Sequence, residues 1–125
     1  MPEQNVFYAS RAGDGPGGTT VYRIDAGEWP HGTDPRPGDD RIRARDPGVE
    51  ELDPRTDLAN HSPTGFSWGY GGSGPAQLAL AILADSMGDE AALEHYQGFK
   101  SEVVAAQPDG PLLIGPRDLP EAAPK

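Results

Sequence analysis

The apolar residues of this chain are gathered in three stretches that are separated by polar sequence: 6–24, 66–104 and 112–119. The first stretch contains two short runs of β-branched and aromatic residues, 6–10 and 19–24, on either side of a turn-forming segment, 11–18. Runs of this kind predict two antiparallel strands that form a hairpin. Because an isolated hairpin is only marginally stable, we expect it to pack on another element.

The middle stretch predicts a buried helix. Residues 76–84 include a single polar side chain, Gln77, and a helix that is apolar on every face is normally enclosed by the rest of the protein. We expect this helix to begin at 73 or 74, with Ser73 as its N-cap. Gly88 is expected to stop it at 86 or 87, because glycine readily takes the conformation that ends a helix.

A second helix is expected immediately afterwards, with Asp89 as its N-cap and Pro108 beyond its end. The short link makes the two helices antiparallel neighbours. Gly98 in the middle of the second helix suggests a close crossing with another backbone, since glycine is otherwise unfavourable there. The positions expected to face the core are Ala92, Leu93, Tyr96, Phe99, Val103, Val104 and Ala106.

These elements predict an α+β fold, in which a small antiparallel sheet packs on an antiparallel helical hairpin. The N-terminal hairpin supplies two strands of the sheet, and the run at 112–114 is expected to supply a C-terminal strand. A length of 125 residues fits one small domain, 1–125. Residues 116–125 are rich in proline, and we expect them to form a flexible tail.

Residues 25–57 form a polar insertion rich in proline, glycine, aspartate and arginine. Long connections of this kind are either functional or disordered, and we expect mostly irregular structure on the surface. Arg41, Arg43 and Arg45 alternate within it and would share one face of an extended chain. That face could bind an anion; the alternative is a solvated segment whose charge is balanced by neighbouring aspartates.

The chain is strongly acidic, with 20 acidic residues against 10 basic ones and a formal net charge of −10. Such an excess is typical of halophilic proteins, although a GC-rich genome also favours Arg, Ala, Gly and Pro. The negative charge argues against nucleic-acid binding. There is no cysteine, no signal peptide is recognisable, and the longest apolar run, 78–84, is too short to span a membrane. We therefore expect a cytoplasmic protein.

The segment 60–84 carries the candidate ligand site, because an aromatic and glycine-rich loop leads directly onto the first helix. Successive backbone N–H groups at a helix N-terminus can hold an anion. The loop also fits G-x-G-x-x-G, but it lacks the buried strand and parallel βαβ unit of a dinucleotide site. The alternative is that the glycines only allow close packing against the aromatic rings. The candidate ligand-binding residues are His61, Trp68, Tyr70, Gly71, Gly72, Ser73, Gly74 and Gln77.

Two of these residues leave a structural and a functional interpretation open. His61 adjoins Ser62, but no carboxylate is placed to orient the imidazole as a catalytic triad requires, so the ring could instead bind the loop backbone. A buried amide such as that of Gln77 must be hydrogen-bonded, either to the loop or to a ligand. Histidines at 31, 61 and 95 lack the spacing of metal ligands, and we expect no metal or cofactor.

Three segments carry a resemblance to a known family: NHSPTGFSWGYGGSGPAQLALAIL (60–83), GDEAAL (88–93) and YQGFKSEVVA (96–105). They resemble a family of small prokaryotic and phage proteins known only as a domain of unknown function, DUF6166. Residues 25–50 look like a departure from the family. The resemblance implies a bacterial, archaeal or viral source, with a mobile element or virion as one setting. It implies no activity and no catalytic residues.

These observations lead us to expect a non-catalytic binding or interaction module that contacts a protein partner or further copies of itself. Aromatic residues of the kind enriched at interfaces support this expectation: Trp29, Phe66, Trp68 and Tyr70. The alternative is a small-ligand or anion-binding protein, or an enzyme, that uses the glycine-rich loop and helix N-terminus at 61–77.

Overall fold

A computed structural model describes residues 6–11, 20–31, 34–61, 66–108 and 110–120. The strands are β1 (Val6–Ala9), β2 (Tyr22–Asp25), β3 (Val49–Glu51) and β4 (Leu113–Ile114). The helices are α1 (Ser73–Met87) and α2 (Asp89–Phe99), which continues into a π-helical turn (Lys100–Val104); a single 3-10 turn (Pro116–Asp118) follows β4. This arrangement confirms the predicted α+β fold.

The strands form one antiparallel sheet in the order β3-β2-β1-β4. The predicted hairpin is confirmed, since β1 pairs with β2 from Val6 opposite Asp25 to Ala9 opposite Tyr22. The predicted C-terminal strand also forms and pairs with β1. The turn predicted at 11–18 lies almost entirely outside the described residues, as do the tail residues 121–125.

Both faces of the sheet are buried. On one face, side chains such as Tyr8, Leu52 and Ile114 belong to a core that they share with α1 and α2. On the other face, side chains such as Tyr22 and Ile24 belong to a second core. The sheet therefore lies between the helices and a further layer of chain.

That further layer is the connection between β2 and β3, which we call the covering segment, residues 26–48. Its Trp29 and Ile42 are buried in the second core, where they pack with Ile24 and with Val49 of β3. The expectation of mostly irregular structure on the surface is correct for most of residues 25–57, but it is wrong for buried side chains such as Trp29 and Ile42. The physical reason is that an apolar sheet face must be covered, and two large apolar side chains within polar sequence are enough to anchor the cover.

Helix α1 runs from Ser73 to Met87, as predicted, and residues 74–84 are all buried. The prediction of Ser73 as N-cap is wrong. Gly72 takes the cap position without a side-chain hydrogen bond, and Ser73 is exposed as the first residue of the helix. Asp89 is likewise not a cap, because Gly88 (φ 95°) occupies that position for α2. Within the described residues, no helix is long and apolar enough to cross a membrane.

The predicted core face of the second helix is only partly correct. Ala92, Phe99 and Val104 are buried, whereas Leu93 is 47% exposed and Ala106 is exposed. The π-helical turn adds a residue to one turn, so that Val104 rather than position 103 follows Phe99 into the core. The close crossing expected at position 98 is wrong, because a Cβ built there would meet no atom within 4 Å.

Candidate functional site

Gln77 ties the loop that precedes α1 to the helix. Its side chain is fully buried, and its Oε1 accepts the backbone N–H of His61 at 2.7 Å. Its Nε2 donates to the carbonyls of Pro54 at 2.6 Å and Ala59 at 3.0 Å. Because these bonds engage both ends of the amide with the chain itself, the geometry favours the structural interpretation of Gln77.

His61 joins the same loop to the second helix. Its Nε2 lies 2.8 Å from the hydroxyl of Tyr96, and the two ring centroids are 5.4 Å apart. Ser62, the neighbour considered as a nucleophile, lies outside the described residues. The contacts of His61 are those of a side chain that holds a loop against a helix.

The aromatic residues of the loop have different environments. Trp68 is 2% exposed, and its Nε1 donates to the carbonyl of Gly110 at 2.8 Å. Tyr70 is 53% exposed, with its hydroxyl 2.9 Å from the Oγ of Ser67. Trp68 is thus a core residue, whereas the ring of Tyr70 lies on the surface.

Close packing explains Gly74, which lies against the buried Ser67, but not Gly72, which lies against the half-exposed ring of Tyr70. A Cβ at Gly74 would lie 1.9 Å from the Oγ of Ser67, and a Cβ at Gly72 would lie 2.7 Å from the ring of Tyr70. A Cβ at Gly71 would meet nothing within 4 Å. The predicted cluster therefore divides: Trp68, Gly74 and Gln77 are buried, whereas Tyr70, Gly71 and Ser73 are exposed near the N-terminus of α1.

The structure shows a second candidate site that could not be predicted from the sequence. It is an open cavity of about 330 Å³ between β3 and the C-terminal half of α1. We call it the acidic groove. It is formed by β2, β3, the segment that follows β3, and one face of α1. The residues that line it are Arg23, Glu50, Glu51, Leu52, Asp53, Arg55, Ala81 and Asp85.

One wall of the acidic groove is a network centred on Asp85. Its Oδ2 accepts the hydroxyl of Tyr8 and the Nε of Arg23, each at 2.6 Å. Burial of Tyr8, together with its hydrogen bond to Asp85, raises the pKa of the phenol far above its usual value. The phenol therefore remains a donor at all ordinary pH values, and the network fixes the carboxylate and the guanidinium to the sheet.

Arg55 forms another wall and is fully engaged by carboxylates. Its guanidinium lies 3.0 Å from oxygens of both Asp57 and Asp89. Arg55 also has φ 56°, in the left-handed region that residues with side chains rarely adopt. The ion pair with Asp89 anchors the segment after β3 to the first turn of α2.

Three further carboxylates at or beside the acidic groove form no ion pair, although Asp53 accepts the backbone N–H of Arg55 at 2.9 Å and the charge of Glu50 acts on Arg23. Within the described part of the chain, no Lys, Arg or His lies within ion-pair distance of Glu50, Glu51 or Asp53. Since both arginines of the acidic groove are already paired, the site carries a net negative charge. The sequence gives no local signal for it, because β3 is short and its residues show no alternation.

For Arg41 in the covering segment, the structure favours the alternative to an anion-binding face, in which a neighbouring aspartate balances the charge. Arg41 binds the buried Asp39 through Nη2 at 2.7 Å and lies over the ring of Trp29 at 4.9 Å. Its hydrogen bonds hold the pKa of Asp39 well below the usual range. Arg43 and Arg45 are exposed. Arg41 thus stabilises the covering segment.

Across the described ranges, no three metal-ligating side chains are grouped as a metal site would require.

Comparison with known proteins gives a family but no activity. The sequence matches the model of a family described as "Family of unknown function (DUF6166)" over residues 31–118. Neither a curated protein nor a solved structure matches. The matched range includes residues 31–50, so the expectation that 25–50 departs from the family is wrong for most of that segment. Since the match extends over well over half of the sequence, the chain belongs to the DUF6166 family.

Proposed function

We propose that this chain is a non-catalytic binding module that takes a positively charged segment of a protein partner in the acidic groove. The observation that carries the proposal is the excess of carboxylates around this concave surface. Among the described residues, Glu50, Glu51 and Asp53 form no ion pair within 4.0 Å, whereas both lining arginines are bound to other carboxylates. A cationic side chain placed there gains charge-assisted hydrogen bonds without breaking an ion pair of the fold.

The engagement of the reactive groups supports a binding role rather than catalysis. Asp85 accepts two short hydrogen bonds from the protein itself, and the imidazole of His61 is bonded to Tyr96. A general base must be able to reach a substrate proton. In the part of the chain that the structure describes, these two groups instead hold secondary-structure elements together.

The lining of the acidic groove favours a protein segment over a small apolar ligand. Small-molecule sites are mostly lined by apolar and aromatic side chains. Here only Leu52 and Ala81 among the lining residues are apolar. The negative charge also favours a hetero-partner over a second copy of this acidic chain. We further propose a prokaryotic cytoplasmic or viral setting for the partner, a proposal that rests on the family resemblance alone.

The experiment is a titration of ¹⁵N-labelled protein with the capped peptide Thr-Lys-Lys-Val-Lys-Lys and, separately, with its glutamate counterpart. We expect the lysine peptide to shift the amide signals of residues 49–55 and 81–85, and the glutamate peptide to leave them unchanged. A lysine peptide that shifts no signal there, or a glutamate peptide that binds equally well, contradicts the proposal.

Charge reversal provides the matched variant. Glu50→Lys combined with Glu51→Lys is expected to weaken binding of the lysine peptide by about tenfold or more, because attraction becomes repulsion. Glu94→Lys combined with Glu102→Lys changes the net charge by the same amount at two exposed positions of the helical layer, and is expected to have little effect. Equal effects of the two changes would point to net charge rather than to this groove.

A second candidate function, anion binding at the glycine-rich loop, is favoured by one observation. The N-terminus of α1 has no side-chain cap, and Ser73 is exposed beside Gly71. Free N–H groups at such an end attract anions. Titration with inorganic phosphate at constant ionic strength is the test: saturable shifts at residues 69–77 support this function, and their absence excludes it.

A further inference from the structure

We infer that the partner segment binds as an extended chain that adds to β3 as a fifth strand of the sheet. The inference rests on the proposed function and specifies how the acidic groove is used. Strand β3 is at one end of the sheet, and among the described residues no strand pairs with its outer edge. An edge strand presents unpaired backbone groups that a further strand can satisfy.

The pairing of β3 with β2 determines which backbone groups are available. Leu52 donates to the carbonyl of Val21 at 2.8 Å, and Asp25 donates to the carbonyl of Gly48 at 2.7 Å. In an antiparallel strand pair, hydrogen-bonded and non-hydrogen-bonded residue pairs alternate. Because both of these outer residue pairs are hydrogen-bonded, the residue pair midway between them, Arg23 opposite Glu50, is also hydrogen-bonded.

The residues on either side of Glu50 therefore point their backbone groups away from β2. The N–H of Val49 donates to the carbonyl of Asp46 at 3.2 Å, so only the carbonyl of Val49 remains available at the outer edge. Glu51 directs both its N–H and its carbonyl outward. One donor and two acceptors are thus arranged along the outer edge of β3, which is enough for a short pairing with an extended peptide.

The side chains of β3 define the chemistry of the added strand. Glu50 lies opposite Arg23 and shares its side of the sheet, facing α1, whereas Glu51 lies opposite Tyr22 on the other side. An added strand consequently meets a carboxylate on each of its faces. Lysine or arginine at neighbouring positions of the peptide complements both, whereas the β3 edge of a second copy would place like charges together.

The first test measures hydrogen exchange of the Glu51 amide with and without the lysine peptide. At about 90% saturation we expect exchange at this amide to slow about tenfold, because only the free protein then exchanges. The amide of Glu50, already bonded to β2, is the internal reference and is expected to change little. Binding that leaves the Glu51 amide unprotected overturns strand addition while the proposed function survives; a complete lack of binding overturns both.

The second test compares Glu51→Pro with Glu51→Gln. Both remove the charge, but only proline removes the outward N–H, and proline is tolerated at such edge positions. We expect Glu51→Pro to bind the lysine peptide about tenfold more weakly than Glu51→Gln, as the loss of a backbone hydrogen bond requires. Equal affinities overturn the inference. If the proline variant does not fold, the exchange measurement on the unaltered chain decides.

Discussion

The side-chain oxygen of Gln77 accepts the backbone N–H of His61 at 2.7 Å, and this bond fixes the preceding loop to α1, whose residues 74–84 are all buried. Gln77→Leu leaves that N–H and the carbonyls of Pro54 and Ala59 without their partner. We expect the free energy of unfolding to fall by about 2–4 kcal/mol, measured by urea denaturation. Gln97→Leu, at an exposed site of α2, is the control; an equally large loss there would contradict the role of Gln77.

Two glycines of the loop are expected to respond differently to alanine. A Cβ at Gly74 would lie 1.9 Å from the Oγ of the buried Ser67, so Gly74→Ala must displace a packed side chain. We expect a loss of about 1–3 kcal/mol in thermal or urea unfolding. Gly71→Ala meets no atom within 4 Å and should change stability by less than about 0.5 kcal/mol. Combining Gly74→Ala with Ser67→Gly should recover part of the loss.

The stability of the covering segment is expected to depend on pH through Asp39. Hydrogen bonds from Arg41 lower the pKa of this buried carboxyl in the folded protein. Below the ordinary pKa of about 4, the unfolded chain therefore binds a proton that the folded chain does not. The contribution of Asp39 is thus complete above about pH 4 and is lost as the pH falls further.

Asp39→Asn tests this dependence. It should lower the free energy of unfolding at neutral pH by about 2 kcal/mol and flatten its decline in acid. Asp40→Asn, an exposed neighbour, should do neither. Urea denaturation over a series of acidic pH values provides the measurement, and an unchanged slope in the Asp39 variant would contradict the assignment.

The two tryptophans are expected to tolerate phenylalanine unequally. Within the residues that the structure describes, the buried Nε1 of Trp29 has no hydrogen-bond partner, whereas that of Trp68 donates to Gly110. Both substitutions remove volume, but only Trp68→Phe leaves a carbonyl without its donor. We expect Trp68→Phe to destabilise the protein by about 1–2 kcal/mol more than Trp29→Phe in urea denaturation. The reverse order would show that the indole of Trp29 has a partner in solution.

Potassium chloride tests the origin of the acidic composition. If the net charge of −10 reflects adaptation to a salt-rich cytoplasm, KCl at about 1 M should raise the melting temperature above that at about 0.15 M, because screening relieves self-repulsion. A melting temperature that does not respond to KCl would instead favour the GC-rich genome as the explanation.

The helices could be predicted from the sequence because their signals are local. The apolar run ending at Ala84 and the stop at Gly88 were sufficient to define α1. Strand β3 could not be predicted, since it is only three residues long and depends on pairing with β2. The burial of Ile42, which stands between two arginines in the sequence, could not be predicted for a similar reason. It depends on the apolar sheet face against which Ile42 packs.

The two candidate sites also differ in how far they could be predicted from the sequence. Gln77 was recognisable as a single amide in an apolar helix, and its contacts now favour the structural role considered for it. The acidic groove combines Arg23, Glu50 and Asp85, which are brought together only by the complete fold. No local pattern marks such a set, because the spacing that matters is across strands and between layers.

The pairing of β1 with β4 has a consequence for the order of folding. The hydroxyl of Ser10 accepts the backbone N–H of Leu112, a contact across 102 positions of sequence. During synthesis on the ribosome, β1 therefore has an open edge until β4 has emerged, long after the hairpin can form. Closure of this edge is a late, non-local event, and such events are slow. We expect nascent chains that stop before β4 to associate through β1 more readily than the complete sheet does.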